Sequence, residues 1–282
     1  MSLAAKALWI IERNSDQPIS LIDLARACGV SRSHLAHAFG SATGVPAMKY
    51  LRGRRLSSAA QALAKGAPDI LSIALDAGYN SHEAFTRAFR DQFEMTPESL
   101  RERGSVAGLP LTNPIEISAG AAMPTLHPRF EQQGRIQVVG LSATISFEDT
   151  TSIPAQWQRF MLRCEEVQHQ SRDIPVGLSQ APDAEGLFRY LCGVEVASLE
   201  DIPPGLEAAV VAPGRYAVFE HNGHVSSLYE TYATIWNEAL PEAGCTVADA
   251  AVIERHNAGF DPATGDGGLT LWIPLSVGHD GQ

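Results

Sequence analysis

The stretch ILSIALDAGYNSHEAFTRAFRDQFEMTP, residues 70–97, decides how the first third of the chain folds. Ile70 to Asp76 reads as a short amphipathic helix, Gly78 sits in a turn, and a second helix follows. Phe85, Phe89 and Phe93 recur every four residues, which places three rings on one helical stripe facing a core. The opposite face carries Asn80, Ser81, His82, Glu83, Thr86 and Arg87. A helix, a glycine turn and a second helix is the arrangement that lays a helix in the DNA major groove, and a plain helical hairpin has the same outline.

Upstream the pattern recurs. Ile19 to Phe39 has Leu21, Leu24 and Ala25 on a short helix, Gly29 at the turn, Ser31 as N-cap, and Leu35 and Phe39 on the buried side of the next helix. Ala25 matches Ala74, Leu35 matches Phe85 and Pro46 matches Pro97, at offsets of 49 to 51 residues. Two copies favour DNA binding over a hairpin. Between them Ala47 to Lys65 reads as a helix of roughly 28 Å, long enough to hold two readers about one DNA turn apart. Arg52, Arg54 and Arg55 on it are phosphate contacts or structural ion-pair residues.

Composition bounds the remainder. The chain has 282 residues, 45% of them hydrophobic, enough for two cored domains. No apolar run is long enough to span a bilayer and no leader pattern opens the chain, so a cytoplasmic protein is expected, without membrane partners. Cys28, Cys164, Cys192 and Cys245 form no C-x-x-C pair and read as free thiols. The net charge of -11 hides a split: residues 1–105 hold 13 Lys and Arg against 10 Asp and Glu, and residues 106–282 hold 8 against 22. The basic part can neutralise phosphates, whereas the acidic part must sit away from DNA or serve another partner.

Residues 1–104 resemble the DNA-binding domain of the AraC family of transcription regulators. The likeness rests on Ile19-Ser20-Leu21, Ala25-x-x-x-Gly29, Ser31-x-x-x-Leu35, Phe39, Arg55-Leu56, Ile73-Ala74, Gly78-Tyr79, Phe85-Thr86-Arg87-Ala88-Phe89 and Thr96-Pro97. It implies seven helices, two helix-turn-helix units and promoter DNA read in two adjacent major grooves. Candidate DNA contacts are then Ser31, Arg32, Ser33 and His37 on the first unit, and Asn80, Ser81, His82, Glu83, Thr86 and Arg87 on the second, with Arg87 suited to a guanine. The Rob and MarA branch carries Trp, Gln and Arg where Ser33, Ala36 and His37 stand here, so a different operator is expected. His34 reads as a packing or phosphate residue rather than a base reader.

After Arg103, Gly104, Gly108, Pro110, Pro114, Pro124 and Pro128 mark residues 105–134 as an extended or loosely packed linker holding a short first strand at 115–118. From Arg135 the periodicity gives a strand at 136–147, a helix at 154–170, strands at 176–179 and 188–196, then a strand at 207–221 broken near Pro213-Gly214, a helix at 225–240 and strands at 251–258 and 269–277. This is a duplicated strand-helix-strand-strand unit, so residues 135–282 form an α+β domain behind an all-α one.

Ala212-Pro213-Gly214-Arg215-Tyr216-Ala217-Val218-Phe219-Glu220-His221, with Trp236-Asn237-Glu238, Glu254 and Trp272-Ile273-Pro274, resembles the GyrI-like effector-binding domain. The resemblance implies a small-molecule site around a buried carboxylate, here Glu254, in an aromatic cleft; His256 replaces a Tyr common in that family. Independently, Glu254 shares a strand face with Val252 and His256, and a carboxylate turned toward aromatic surface is relieved by a cationic or polar ligand. Trp272, Trp236, Tyr190 and Tyr229 are candidate walls. His221-x-x-His224 lacks further ligands for a metal, and residues 261–268 lack calcium-loop spacing. No phosphate-binding, dinucleotide or nucleophile-elbow motif occurs, so no cofactor, metal or catalytic residue is assigned. The expectation is a transcription regulator whose partners are promoter DNA, a small effector and RNA polymerase; a hydrolase-like enzyme using Glu254 as acid or base, or a protein-interaction module, are the rival readings.

Overall fold

The computed structural model describes residues 1–15, 17–67, 69–115, 126–261 and 264–276. Seven helices come first: α1 (Leu3–Arg13), α2 (Leu21–Cys28), α3 (Arg32–Thr43), α4 (Ala47–Ala64), α5 (Ile70–Asp76), α6 (His82–Phe93) and α7 (Pro97–Arg103). Their starts follow from local chemistry. Ser20 and Asp23 form a reciprocal capping box on α2, and Ser31, Ser81 and Thr96 accept from the third backbone N–H of α3, α6 and α7. Gly29 ends α2 at φ +81°, a left-handed value that side chains with a Cβ avoid.

The rod α4 serves two cores. Its C-terminal half, with Leu56, Ala60 and Leu63, packs against Ile70, Ala74, Phe85, Phe89, Phe93 and Leu100. Its N-terminal half, with Tyr50 and Leu51, packs with α1, α2 and α3. Arg54 pairs with Glu12 at 2.9 Å and donates to the Thr112 carbonyl, and Arg55 donates to the Ser15 carbonyl at 2.6 Å, so both are structural. The connector is not loose up to residue 115. The Thr112 N–H reaches Ser57 Oγ at 2.8 Å, the Ile115 N–H reaches the Tyr50 hydroxyl at 3.2 Å, and a Cβ on Gly53 would stand 2.4 Å from Thr112 Oγ1. The strand expected at 115–118 lies, apart from Ile115, outside the described residues.

The second half is one antiparallel sheet of β1 (Arg129–Gln133), β2 (Ile136–Ser146), β3 (Gln170–Ser179), β4 (Leu187–Val196), β5 (Glu207–Val211), β6 (Gly214–His221), β7 (Val252–His256) and β8 (Leu269–Leu275), in the order β1-β6-β8-β7-β3-β4-β2-β5. Helix α8 (Ser152–Met161) follows β2, and α9 (Leu228–Thr234) follows β6 and runs through a π-helical turn (Ile235–Ala239) into α10 (Leu240–Glu242). The expected duplication is present: β2-α8-β3-β4 and β6-α9-β7-β8 meet where β3 pairs with β7. Six inter-strand spacings separate β1 from β2, roughly 29 Å in a flat sheet, yet two residues join them and span roughly 10 Å. The sheet is therefore curled. Its inner face buries Val138, Val176, Leu178, Tyr216, Val218, Ile253 and Trp272.

Three boundaries differ from expectation. Residues 207–221 are two strands, β5 beside β2 and β6 beside β8, because the break at Ala212-Pro213 sends them to opposite ends of the sheet order. α8 stops at Met161, and the polar residues 170–173 open β3 instead. β1, assigned to the linker, is a polar edge strand without the alternation that marks a buried one.

The two halves share a core. Ile235, Trp236, Ala239 and Leu240 pack into the cluster formed by α1, α2, α3 and the start of α4. Trp236 stacks on His37 with centroids 4.4 Å apart and planes 3° apart. Asn237 Oδ1 accepts from the Ala4 N–H at 2.8 Å, taking one of the backbone donors that a helix start leaves orphaned, while its Nδ2 donates to the Ala38 carbonyl at 3.0 Å. Asn237→Ala strands a buried donor, so unfolding of the whole chain should become easier by about 1–3 kcal/mol. The exposed neighbour Glu238→Ala should change it by less than about 0.5 kcal/mol, and urea denaturation of both variants makes the comparison.

Candidate functional site

Glu254 lies on β7 where the two repeated units meet, on the outer face of the sheet between α8 and α9. Register explains its neighbours: Gly177 of β3 stands opposite Glu254, and Tyr190 of β4 stands opposite Ser179, so all three point outward together. The Tyr190 hydroxyl donates to Glu254 Oε2 at 2.6 Å, and the Tyr232 hydroxyl, from α9, donates to Oε1 at 2.6 Å. Trp157 Nε1, from α8, donates to the Tyr190 hydroxyl at 3.0 Å. Its ring meets His256 edge-on at 4.9 Å, and His256 lies 4.1 Å from the Phe260 ring. Gly177 has no room for a side chain, since a Cβ would sit 2.5 Å from the Tyr190 hydroxyl and 2.8 Å from Glu254 Oε2.

Both tyrosines are held protonated. Burial first, and then the negative charge of Glu254, push each hydroxyl well above its ordinary pKa. Burial also lowers the pKa of His256, opposed by its bond to the Pro175 carbonyl and by Glu254, so its ring favours the neutral form. A partly exposed carboxylate fixed by two neutral donors and ringed by aromatic surface presents negative charge beside apolar walls. That combination suits an aromatic or alkylated cation.

The expected walls separate into near and far. Tyr190 touches Glu254, whereas Trp272 does not. Trp272 pairs with Ile253 in register and so faces the inner side of the sheet, where Arg255 lies 4.5 Å over its ring and binds Glu195 at 2.8 Å. Trp236 is 1% exposed and faces α3, and Tyr229 is a half-exposed residue at the surface of α9. Tyr232, Trp157, His256 and Gly177 join the site although none of them is an expected wall. Aromatic residues on a helical stripe read as core, and the signal available for Tyr232 and Tyr190 was a hydroxyl that needs a partner once buried. A shallow cavity of about 220 Å³ opens beside the site, lined by Ile174, Glu195, Arg255, His256, Asn257 and Thr270; it shares His256 with the site, and Glu254 does not line it.

The two helices expected to read DNA fare differently. Asn80 in the turn before α6 and Glu83 and Arg87 on it are exposed, and Arg87 has no side-chain partner among the described residues. Ser81 is taken by its capping bond, His82 Nε2 lies 3.1 Å from Glu98 Oε1, and the Thr86 hydroxyl is turned inward, unbonded. On α3, Ser33 and His37 are only 4% and 7% exposed, so neither faces solvent as expected; Trp236 and Phe147 of the sheet half cover His37. His34 Nε2 donates to the Trp236 carbonyl at 2.8 Å, which makes it a packing residue. Ser31 caps α3, and Arg32 stays exposed beside Asp249 at 3.7 Å.

Residues 127–276 match the GyrI-like small molecule binding domain, and residues 24–103 match a helix-turn-helix domain. The chain is 26% identical over 276 residues to the transcriptional regulator Rob of Salmonella typhimurium, covering 94% of this chain and 93% of that one. It is 39% identical over 95 residues to the regulatory protein SoxS of Escherichia coli, covering 34% of this chain and 88% of SoxS. Among solved structures, SAV2435 bound to tetraphenylphosphonium is 19% identical and covers 53% of this chain and 94% of its own, with a TM-score of 0.45.

Burial, and then the proximity of His34, depress the His37 pKa from 6.5 to about 3. Phe147 and Trp236 pack on its ring and supply no carboxylate. The docked state thus binds fewer protons than a separated one, so docking is full above about pH 6.5 and weakens as pH falls below it, by up to about 1.4 kcal/mol per unit. The near-ultraviolet dichroism of Trp236 should fade between about pH 6.5 and pH 5. His37→Phe, which keeps a ring against Trp236 and cannot be protonated, should hold that signal to lower pH.

Proposed function

The chain belongs to the GyrI-like small-molecule-binding family, joined here to an AraC-type helix-turn-helix domain, and we propose that its sheet half binds a lipophilic organic cation that governs promoter binding by its helical half. As a protein it is a DNA-binding transcription regulator of the AraC type. The single observation that carries the ligand reading is Glu254, whose two oxygens are held by Tyr190 and Tyr232 at the seam between α8 and α9. The tyrosines fix the carboxylate without cancelling its charge, so a desolvated cation gains Coulombic attraction there, and the surrounding rings add cation–π and apolar contact.

DNA contact is assigned to the exposed face of α6, with Asn80, Glu83 and Arg87 toward the bases, and to α3 once it is free. Regulation is proposed to act through contact with RNA polymerase or through DNA affinity, in the cytoplasm. The boundaries proposed are a helical domain over 1–104 and an effector domain beginning after the linker, with β1 as its first strand.

Tetraphenylphosphonium and tetraphenylborate have one shape and opposite charge. Calorimetry should show binding of the cation to the whole protein and little of the anion, and Glu254→Gln should weaken the cation at least about tenfold, a 1.4 kcal/mol effect. Equal affinity for the two ions would remove the charge-based reading. For DNA, Arg87→Ala should relax base preference at one position by about 1–3 kcal/mol in a binding-site selection experiment. A uniform loss on all sequences would make Arg87 a phosphate contact instead.

A further inference from the structure

The face that a recognition helix turns to a DNA groove is, on α3, already filled. Trp236 lies flat on His37, Asn237 reaches the Ala38 carbonyl, and the Phe147 ring meets His37 edge-on and closes over Gly40, where a Cβ would stand 2.8 Å from it. Around this patch three carboxylates of the sheet half meet three cations of the helical half: Asp249 with Arg32 at 3.7 Å, Glu148 with Lys49 at 2.7 Å, and Glu185 with Arg52 at 2.6 Å. In all three the anion comes from the sheet half. A surface that fills the reading face, with anions at its flanks where phosphates flank a groove, occupies that face and pairs its cations as DNA would.

We propose that the sheet half is a built-in stand-in for DNA on α3, so that the first reader binds either its own effector domain or a major groove, and that a cation at Glu254 tips the choice toward DNA. The release step rests on the cation reading of Glu254; the masking itself does not. The connection is one continuous helix. Tyr232, which holds Glu254 Oε1, stands one turn before Trp236, which holds His37. Across Trp236 the helix widens into the π turn, a local change of register of the kind found at functional sites. A cation drawing Glu254 toward itself frees the Tyr232 hydroxyl, and a displacement of α9 by a fraction of a turn misplaces Trp236 in a close-packed seat that tolerates little.

The test uses the full chain with amide hydrogen exchange of residues 32–43 and binding to a duplex from upstream of its own coding sequence across a salt series. Neutralising the mimic with Glu148→Gln, Glu185→Gln and Asp249→Asn should speed exchange in α3 while leaving α6 unchanged, and tighten DNA binding at least about tenfold as the competent fraction rises. The salt slope should steepen by up to about three units, near 0.9 for each further phosphate neutralised. A control with the same charge change at exposed Glu165→Gln, Glu200→Gln and Glu242→Gln should leave α3 exchange and the slope as in the parent. If the mimic variant behaves like the control, masking is overturned. Saturating tetraphenylphosphonium should reproduce the mimic variant's behaviour in the parent protein and fail to do so in Glu254→Gln. Cation binding that leaves α3 protected overturns the release step and leaves the cation site standing, whereas no cation binding overturns the Glu254 reading and the release step together.

Discussion

The stacking of Trp236 on His37 is the contact on which the arrangement of this molecule depends. It joins two halves whose net charges differ in sign, and it does so through apolar surface: Trp236 is nearly inaccessible, and Ile235, Ala239 and Leu240 continue the same core into α1 and α3. Burial of that much apolar area is insensitive to salt, whereas the surrounding ion pairs are exposed and individually weak. Three such pairs together contribute on the order of 1–3 kcal/mol, enough to bias a contact whose seat is apolar. His34 and His37 must stay neutral for the seat to close, which burial enforces on both.

Glu254 illustrates a different constraint. A carboxylate among aromatic rings is costly unless its oxygens are satisfied, and Tyr190 and Tyr232 satisfy one each. Because the donors are neutral, the site keeps its negative charge while its oxygens keep their hydrogen bonds. Each donor also comes from a separate layer: Tyr190 from the sheet and Tyr232 from the helix that carries Trp236. The carboxylate thereby ties the position of α9 to the state of the site. Gly177 completes the arrangement by leaving space that any side chain would close.

Charge along the chain took on meaning through this geometry. An acidic half beside a DNA-binding half looks like a conflict, since the acidic half repels phosphate. In the folded chain Asp249, Glu148 and Glu185 resolve it by sitting where phosphates would otherwise be attracted. Arg52, Arg54 and Arg55, alike in sequence, divide accordingly: the last two brace Glu12 and the backbone at Ser15, and only Arg52 faces the other half.

How much of this could be read beforehand follows from the range of the interactions. The helix start at Ser31, the turn at Gly29, the phenylalanine stripe of α6 and the two repeated strand-helix-strand-strand units are set by neighbours a few residues apart, so local sequence was enough for them. Glu254 was legible because strand alternation assigns it a face. Its partners were not, because Tyr232 and Trp157 look like core residues on a helical stripe until the sheet register brings Tyr190 and Gly177 opposite. Trp272 fell on the wrong side by that same two-residue period. β1 escaped because a polar edge strand leaves no periodic trace; β5 and β6 were read as one broken strand because their separate partners lie far along the chain, and curling is a property of the whole sheet. The covering of α3 came from long-range packing alone: a helix face built to meet DNA and one built to meet a protein are both small and polar in sequence, and which one it meets is set by residues about two hundred positions away.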